Sequence, residues 1–192
     1  VSRKTGTGEL RIIGGTWRHR KVSFPDVQGL RPTPDRVRET LFNWLQPVIT
    51  GARCLDLFAG SGVLGLEALS RGAAAVVMVE HDGRVTEHLS AQAVQLGGMD
   101  VSARVVHGDA LDYLRGPAQS FDIVFVDPPF NSTLLAATCR WLDEGHWLAP
   151  GAHIYLEAPW SAAAPPVPRR WQILRHKRAG QVGYYLARAP VQ

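Results

Sequence analysis

The stretch Cys54-Leu55-Asp56-Leu57-Phe58-Ala59-Gly60-Ser61-Gly62-Val63-Leu64-Gly65 decides the fold. It reads as an apolar strand over 54–58, a glycine-rich turn, and a helix over 63–71. Glycines let the backbone turn sharply there and let a ligand approach the main chain. Gly60, Gly62 and Gly65 satisfy G-x-G-x-x-G. Alone, that spacing also suits a dinucleotide-binding dehydrogenase or a bare strand–helix turn.

Downstream, strands and helices alternate. Strands are expected at 76–80, 103–107, 121–126 and 153–157, and helices at 84–96 and 133–144. Strands apolar on both faces and separated by helices predict a parallel sheet covered by helices. The end differs: strands over 171–178 and 182–188 flank Ala179-Gly180-Gln181 and predict a terminal antiparallel hairpin. The fold class is therefore α/β, and a parallel sheet with a terminal antiparallel hairpin resembles the Rossmann-like class I methyltransferase fold. Its seven-stranded, mostly parallel sheet ends in that hairpin, and a small N-terminal β-hairpin/helix extension precedes it. Residues 1–50 are expected to form the extension and 51–192 the domain with that methyltransferase-like fold.

Within the extension, strands are expected around Gly14-Gly15, a pair suited to a tight hairpin turn. Gln28–Thr33 is a loop. Thr33-Pro34-Asp35 reads as a helix start, with Thr33 as cap and Pro34 in the first turn. Val37, Leu41, Trp44, Leu45 and Val48 then recur at helical spacing, leaving Arg36, Arg38 and Glu39 off the apolar stripe.

The chemistry lies where strands end. Glu80, 20 residues past Gly60, can accept hydrogen bonds from ribose hydroxyls. Asp56 favours a ligand with an ammonium over one with a pyrophosphate, which a carboxylate repels. Asp109 suits an adenine amino group, or equally caps a helix over 110–114. Candidate cofactor contacts are Asp56, Phe58, Ala59, Gly60, Ser61, Gly62, Glu80, His81, Asp109 and Ala110, with Thr33, Arg36 and Glu39 from the extension.

Asp127-Pro128-Pro129-Phe130 follows a buried strand. The prolines fix the backbone, so the Pro128 carbonyl is held in a set direction. With the Asp127 carboxylate it offers two acceptors for an exocyclic amine, and Phe130 offers a stacking face. Asp127, Pro128, Pro129 and Phe130 are the candidate catalytic group. No Ser lies in a G-x-S-x-G elbow.

Composition narrows the partners. The 192 residues are 45% hydrophobic and 20% charged, which excludes a disordered chain. Apolar runs such as Ala73–Val79 are too short to span a bilayer, and the N-terminus lacks the apolar core of a secretory signal. Two cysteines with no C-x-x-C argue against a zinc site and fit a reducing, cytoplasmic setting. The net charge is +4, but residues 1–50 carry +5, 51–160 carry −7 and 161–192 carry +6. Two basic arms around an acidic middle point to a polyanion. Arg11, Arg18, Arg20, Lys21, Arg31 and Arg38 are candidate phosphate contacts.

Arg11-Ile12-Ile13-Gly14-Gly15, Arg31-Pro32-Thr33, Asp35–Asn43, Asp56–Gly62 and Asp127–Phe130 together resemble the RsmD family of bacterial ribosomal RNA methyltransferases. The resemblance covers about residues 9–188. It implies N2-methylation of one guanine in 16S rRNA by S-adenosyl-L-methionine, on an assembled or nearly assembled small ribosomal subunit; a monomer is expected. It places Asp127–Phe130 at the target base, and Asp56–Gly62 with Glu80 at the cofactor. A DNA adenine-N6 methyltransferase shares Asp-Pro-Pro-aromatic, but this chain has no room for a target-recognition domain. A nicotinamide oxidoreductase leaves Asp127–Phe130 without a purpose. A non-catalytic RNA-binding protein gives Asp127 nothing to do.

Overall fold

The computed structural model describes residues 7–27, 29–30, 32–97, 102–129, 133–161 and 164–191. Arg31 and Phe130 lie outside them.

Strands β1 (Thr7–Arg11) and β2 (Lys21–Pro25) pair antiparallel, with Arg11 opposite Lys21. Gly14-Gly15 does not make the expected tight turn. The connection runs over 12–20 and is fastened to a helix far along the chain: Thr16 N donates to Ser70 O (2.8 Å), and Ser70 Oγ donates to Gly14 O (2.6 Å). At Gly15 φ is +77°, and a Cβ would stand 1.8 Å from Ser70 O. The glycine serves close backbone approach.

Helix α1 (Asp35–Leu45) follows. Thr33 is buried and does not cap it. Pro34 holds the cap position, and its carbonyl accepts from Val37 N (2.9 Å) and Arg38 N (3.0 Å).

The core alternates as expected: β3 (Arg53–Asp56), α2 (Val63–Ser70), β4 (Ala75–Glu80), α3 (Gly83–Gln95), β5 (Ser102–His107), α4 (Ala110–Leu114), β6 (Phe121–Val126), α5 (Leu134–Glu144) and β7 (Leu148–Pro159), then β8 (Gln172–Ala179) and β9 (Val182–Arg188). β7 is longer than its apolar stretch suggests. The register shifts between Phe121 and Ile123, which accommodates Pro150-Gly151 inside the strand.

The sheet order is β5-β4-β3-β6-β7-β9-β8. The first five strands are parallel, and β9 runs antiparallel between β7 and β8. Each face carries an apolar layer. One joins β1–β2, α1, α2 and α3 to the sheet through Ile12, Val22, Leu41, Leu66, Met78 and Phe125. The other seats α4 and α5 through Leu114, Val124, Cys139, Leu142 and Trp147. The chain leaves β3 toward β4 and β5, then crosses back to β6. The order therefore reverses between β3 and β6, and a crevice opens at such a reversal, beyond the strands' carboxyl ends.

Candidate active site at the carboxyl ends of the parallel strands

Alternation fixes which side chains reach this crevice. Cys54, Met78, Phe125 and Tyr155 all face the apolar layer of α1–α3. Two residues on, along the same face of neighbouring strands, stand Asp56, Glu80, Asp127 and Glu157. In the spatial order β4-β3-β6-β7 they form a row: Glu80, Asp56, Asp127, Glu157.

The row is costly in charge. Burial is the largest influence on Asp56 and raises its carboxyl to about 7; backbone hydrogen bonds from Phe58 and Gly65 oppose this, and the Glu80 charge adds to it. Its Oδ2 is buried with no hydrogen-bond partner among the described residues. Burial also pushes Asp127 well above the usual carboxylate range, and the charges of Glu157 and Asp56 push it further. Glu157 is raised by burial and partly relieved by the Tyr155 hydroxyl, which donates to its Oε1 at 2.6 Å. Tyr155 is itself raised by its burial and by Glu157, so it remains a donor.

Glu80 is the best tethered of the four. Its Oε2 accepts from Gly60 N at 2.8 Å, and its Oε1 from Asp82 N at 2.9 Å. His81 Nδ1 lies 3.0 Å from the same Oε1. The carboxylate thus ties the glycine turn to the β4–α3 turn. Gly60 (φ +51°) and Gly62 (φ +72°) are left-handed, which L side chains resist. A Cβ on Gly62 would also stand 2.1 Å from Leu89 Cδ1. Within the turn, Ala59 N donates to Val79 O, Ser61 is buried with its Oγ 3.4 Å from Val63 N, and Phe58 packs toward the α4–α5 layer. Asp109 accepts from Leu111 N (2.8 Å) and Asp112 N (3.1 Å), so it does cap α4, with Ala110 buried behind it.

The extension reaches the crevice through the segment before α1. Leu30 Cδ1 is 3.8 Å from where a Gly60 Cβ would stand, and Thr33 is buried nearby in sequence. Arg36 and Glu39 are exposed on α1. On the other side of the motif, a cavity of about 410 Å³ opens between Pro128, Pro129, Glu157, Pro165 and Tyr185.

Arg38 corrects the sequence reading. It is fully buried, not a phosphate contact. Its guanidinium donates to Arg11 O (3.0 Å) and Asp35 Oδ1 (2.5 Å) and lies 3.4 Å from the buried Glu67. Glu67 also accepts from Ile13 N and Arg71 Nε. The pair locks the extension onto α2. Arg11, Arg18, Arg20 and Lys21 are exposed. Arg20 binds the carbonyls of Gln95 and Leu96 at the end of α3, and Lys21 pairs with Glu9 at 2.9 Å. Both α2 and α3 start at the crevice edge of the sheet. Arg18 and Arg20, held where these helices end, therefore stand at the opposite edge.

Glu157 and Tyr155 were not read as site residues. An acid closing an apolar strand looks like a strand boundary. Only the pairing of β6 with β7, with Val126 opposite Leu156, sets Glu157 beside Asp127.

A seven-stranded sheet of this order, reversing at a glycine turn and carrying Asp-Pro-Pro after the strand across the reversal, defines a Rossmann-like methyltransferase of class I. The family model described as Conserved hypothetical protein 95 matches residues 10–188. Ribosomal RNA small subunit methyltransferase D of Escherichia coli strain K12 is 50% identical over 188 residues, covering 98% of this chain and 94% of that protein. The protein of the same name from Haemophilus influenzae is 45% identical, with 93% of each covered. A solved structure described as the putative methyltransferase yhhF from Escherichia coli superposes with a TM-score of 0.90 at 50% identity, covering 96% of this chain and all of that one. The chain belongs to this family, the RsmD family of the sequence resemblance.

Proposed function

We propose that this protein transfers a methyl group from S-adenosyl-L-methionine to the exocyclic N2 of a guanine in 16S rRNA, presented by the small ribosomal subunit to a monomeric enzyme. The observation that carries the reading is the carboxylate row, in which Asp127 stands between Asp56 and Glu157 and beside Pro128. The names of the relatives support the rRNA substrate.

The residues present fit the cofactor. Asp56 Oδ2, buried and unpartnered, is an acceptor waiting for a cation. Glu80, beside the glycine turn, suits ribose hydroxyls, and the left-handed glycines leave main chain open to a ligand. When bound, S-adenosyl-L-methionine supplies an electrophilic methyl on a sulfonium.

The chain's own residues do the rest. A guanine amine is a poor nucleophile because its lone pair is delocalised into the ring. Asp127 and the Pro128 carbonyl accept its two N–H bonds and favour pyramidal nitrogen. That frees the lone pair for in-line attack, and positioning supplies much of the acceleration. Positive charge grows on nitrogen, and the Asp127 carboxylate stabilises it. The raised basicity of Asp127, with Glu157 beside it, lets the carboxylate take the proton that the methylated nitrogen releases.

The test is methyl transfer from labelled S-adenosyl-L-methionine to undermethylated small subunits, naked 16S rRNA and duplex DNA, each digested to nucleosides. N2-methylguanosine from the subunits is the expected product. N6-methyladenine from DNA would overturn the reading in favour of a DNA methyltransferase.

A further inference from the structure

β8 runs parallel to β7, so the β8–β9 turn lies at the same edge of the sheet as Asp127-Pro128-Pro129. Trp160 stands there just beyond the end of β7, its backbone N–H donating to Gln181 O at 2.7 Å. Three rings form a ladder. Trp160 and His176 are 6.5 Å apart at 23°, and His176 and Tyr185 are 6.2 Å apart at 23°. Arg178 lies over Trp160 at 5.7 Å. The ladder is seated on Gly183, where a Cβ would stand 3.0 Å from the Trp160 ring and 2.6 Å from Tyr185 Oη. Its inner end, Tyr185, lines the cavity beside Pro128 and Pro129.

The outer end reaches solvent with Arg178 over its ring. Trp160 is among the few exposed large apolar side chains. Arg175, His176, Lys177 and Arg178 are exposed in succession on β8, the edge strand. Residues 161–192 contain six Lys/Arg and no acid. An accessible indole flanked by cations is the chemistry of a base stacked on a ring with its phosphates neutralised.

We propose that the β8–β9 hairpin and Trp160 form an RNA-docking surface for a nucleotide flanking the target base, with that base stacked on Trp160, its phosphate held by Arg178 on the same face of β8, and neighbouring phosphates by Arg175 and Lys177 on the other face of this edge strand. This rests on the rRNA methyltransferase reading. A target base must be unstacked to reach the Asp127 crevice, which leaves its neighbour free to stack elsewhere. The surface lies at the crevice edge, whereas Arg18 and Arg20 stand at the far edge.

The experiment compares Trp160→Ala, Trp160→Phe and the double variant Lys177→Glu, Arg178→Glu with the unaltered protein. It measures Kd for naked 16S rRNA against salt, KM and kcat on undermethylated small subunits, and affinity for S-adenosylhomocysteine as a folding control. Trp160→Ala is expected to weaken RNA binding by about 5- to 100-fold, and Trp160→Phe to recover most of it. The charge reversal is expected to lower the salt slope by about 2. Kcat and S-adenosylhomocysteine affinity are expected to hold within about twofold, since none of these residues is in the crevice. Unchanged RNA affinity and salt slope would overturn the proposal. So would weaker binding to subunits with unchanged binding to naked rRNA, which would make a ribosomal protein the partner. Absence of methyl transfer by the unaltered protein would defeat the functional reading instead, while the RNA affinities would still report on the surface.

Discussion

Asp56 holds a buried carboxyl oxygen that no hydrogen-bond partner among the described residues answers. An ordinary Asp titrates near 3.8, and Asp56 titrates at about 7. Between those values the folded chain keeps a proton that the unfolded chain has lost, so this residue's contribution to stability falls as pH rises through that window. A bound ammonium reverses the balance by holding Asp56 ionised. Binding below pH 7 must then expel a proton. Calorimetry with S-adenosylhomocysteine is expected to show affinity rising with pH, by up to about tenfold per unit, and levelling near neutrality. Asp56→Asn is expected to bind more weakly and to flatten the slope. A flat profile in the unaltered protein would remove Asp56 from the ammonium site. At the same scale, Arg38 shows how a sequence misleads. Its place off the apolar stripe suggests solvent, yet a guanidinium buries when acceptors surround it, and its acceptors come from Arg11, Asp35 and Glu67. Pairing with Glu67, 29 residues away, leaves no trace in local spacing.

The elements of the core were legible because their patterns are strong. The apolar runs of β6 and β9 end where the structure ends them, at 121–126 and 182–188. The N-terminal connection was misread because a tight turn and a close backbone approach ask for the same residue. Gly15 and Gly51 separate these demands. Both are left-handed, at φ +77° and +76°, but a Cβ meets Ser70 O at Gly15 and nothing within 4 Å at Gly51. Gly51→Ala is expected to cost the left-handed penalty alone, about 1–2 kcal/mol. That lowers Tm by about 2–8 °C for a chain of this size. Gly15→Ala is expected to lower Tm at least about twice as far, because its carbonyl neighbour belongs to α2 and cannot rotate away. Equal shifts would mean that the 12–20 connection is not fastened to α2 as described.

Across the whole molecule, the sheet gathers onto one edge what the sequence scatters over a hundred residues. Glu80, Asp56 and Asp127 were each readable from their strand ends. Their order as a row, and Glu157 as its fourth member, needed the strand pairing. The Trp160 ladder draws rings from β8, β9 and the chain after β7, so no window of sequence contains it. Phe130, the expected stacking face, lies outside the described residues. No described helix is long and apolar enough to cross a membrane, and both cysteines are buried and free. On the function proposed above, the molecule assembles a division of labour: Asp56 and Glu80 would hold the cofactor, and Asp127 would act on the amine. The direct test is Asp127→Ala, assayed in one preparation for methyl transfer to undermethylated small subunits and for S-adenosylhomocysteine affinity. Transfer is expected to fall by about a thousandfold or more, with affinity held within about threefold. Transfer retained within about tenfold, or affinity lost together with transfer, would contradict the account.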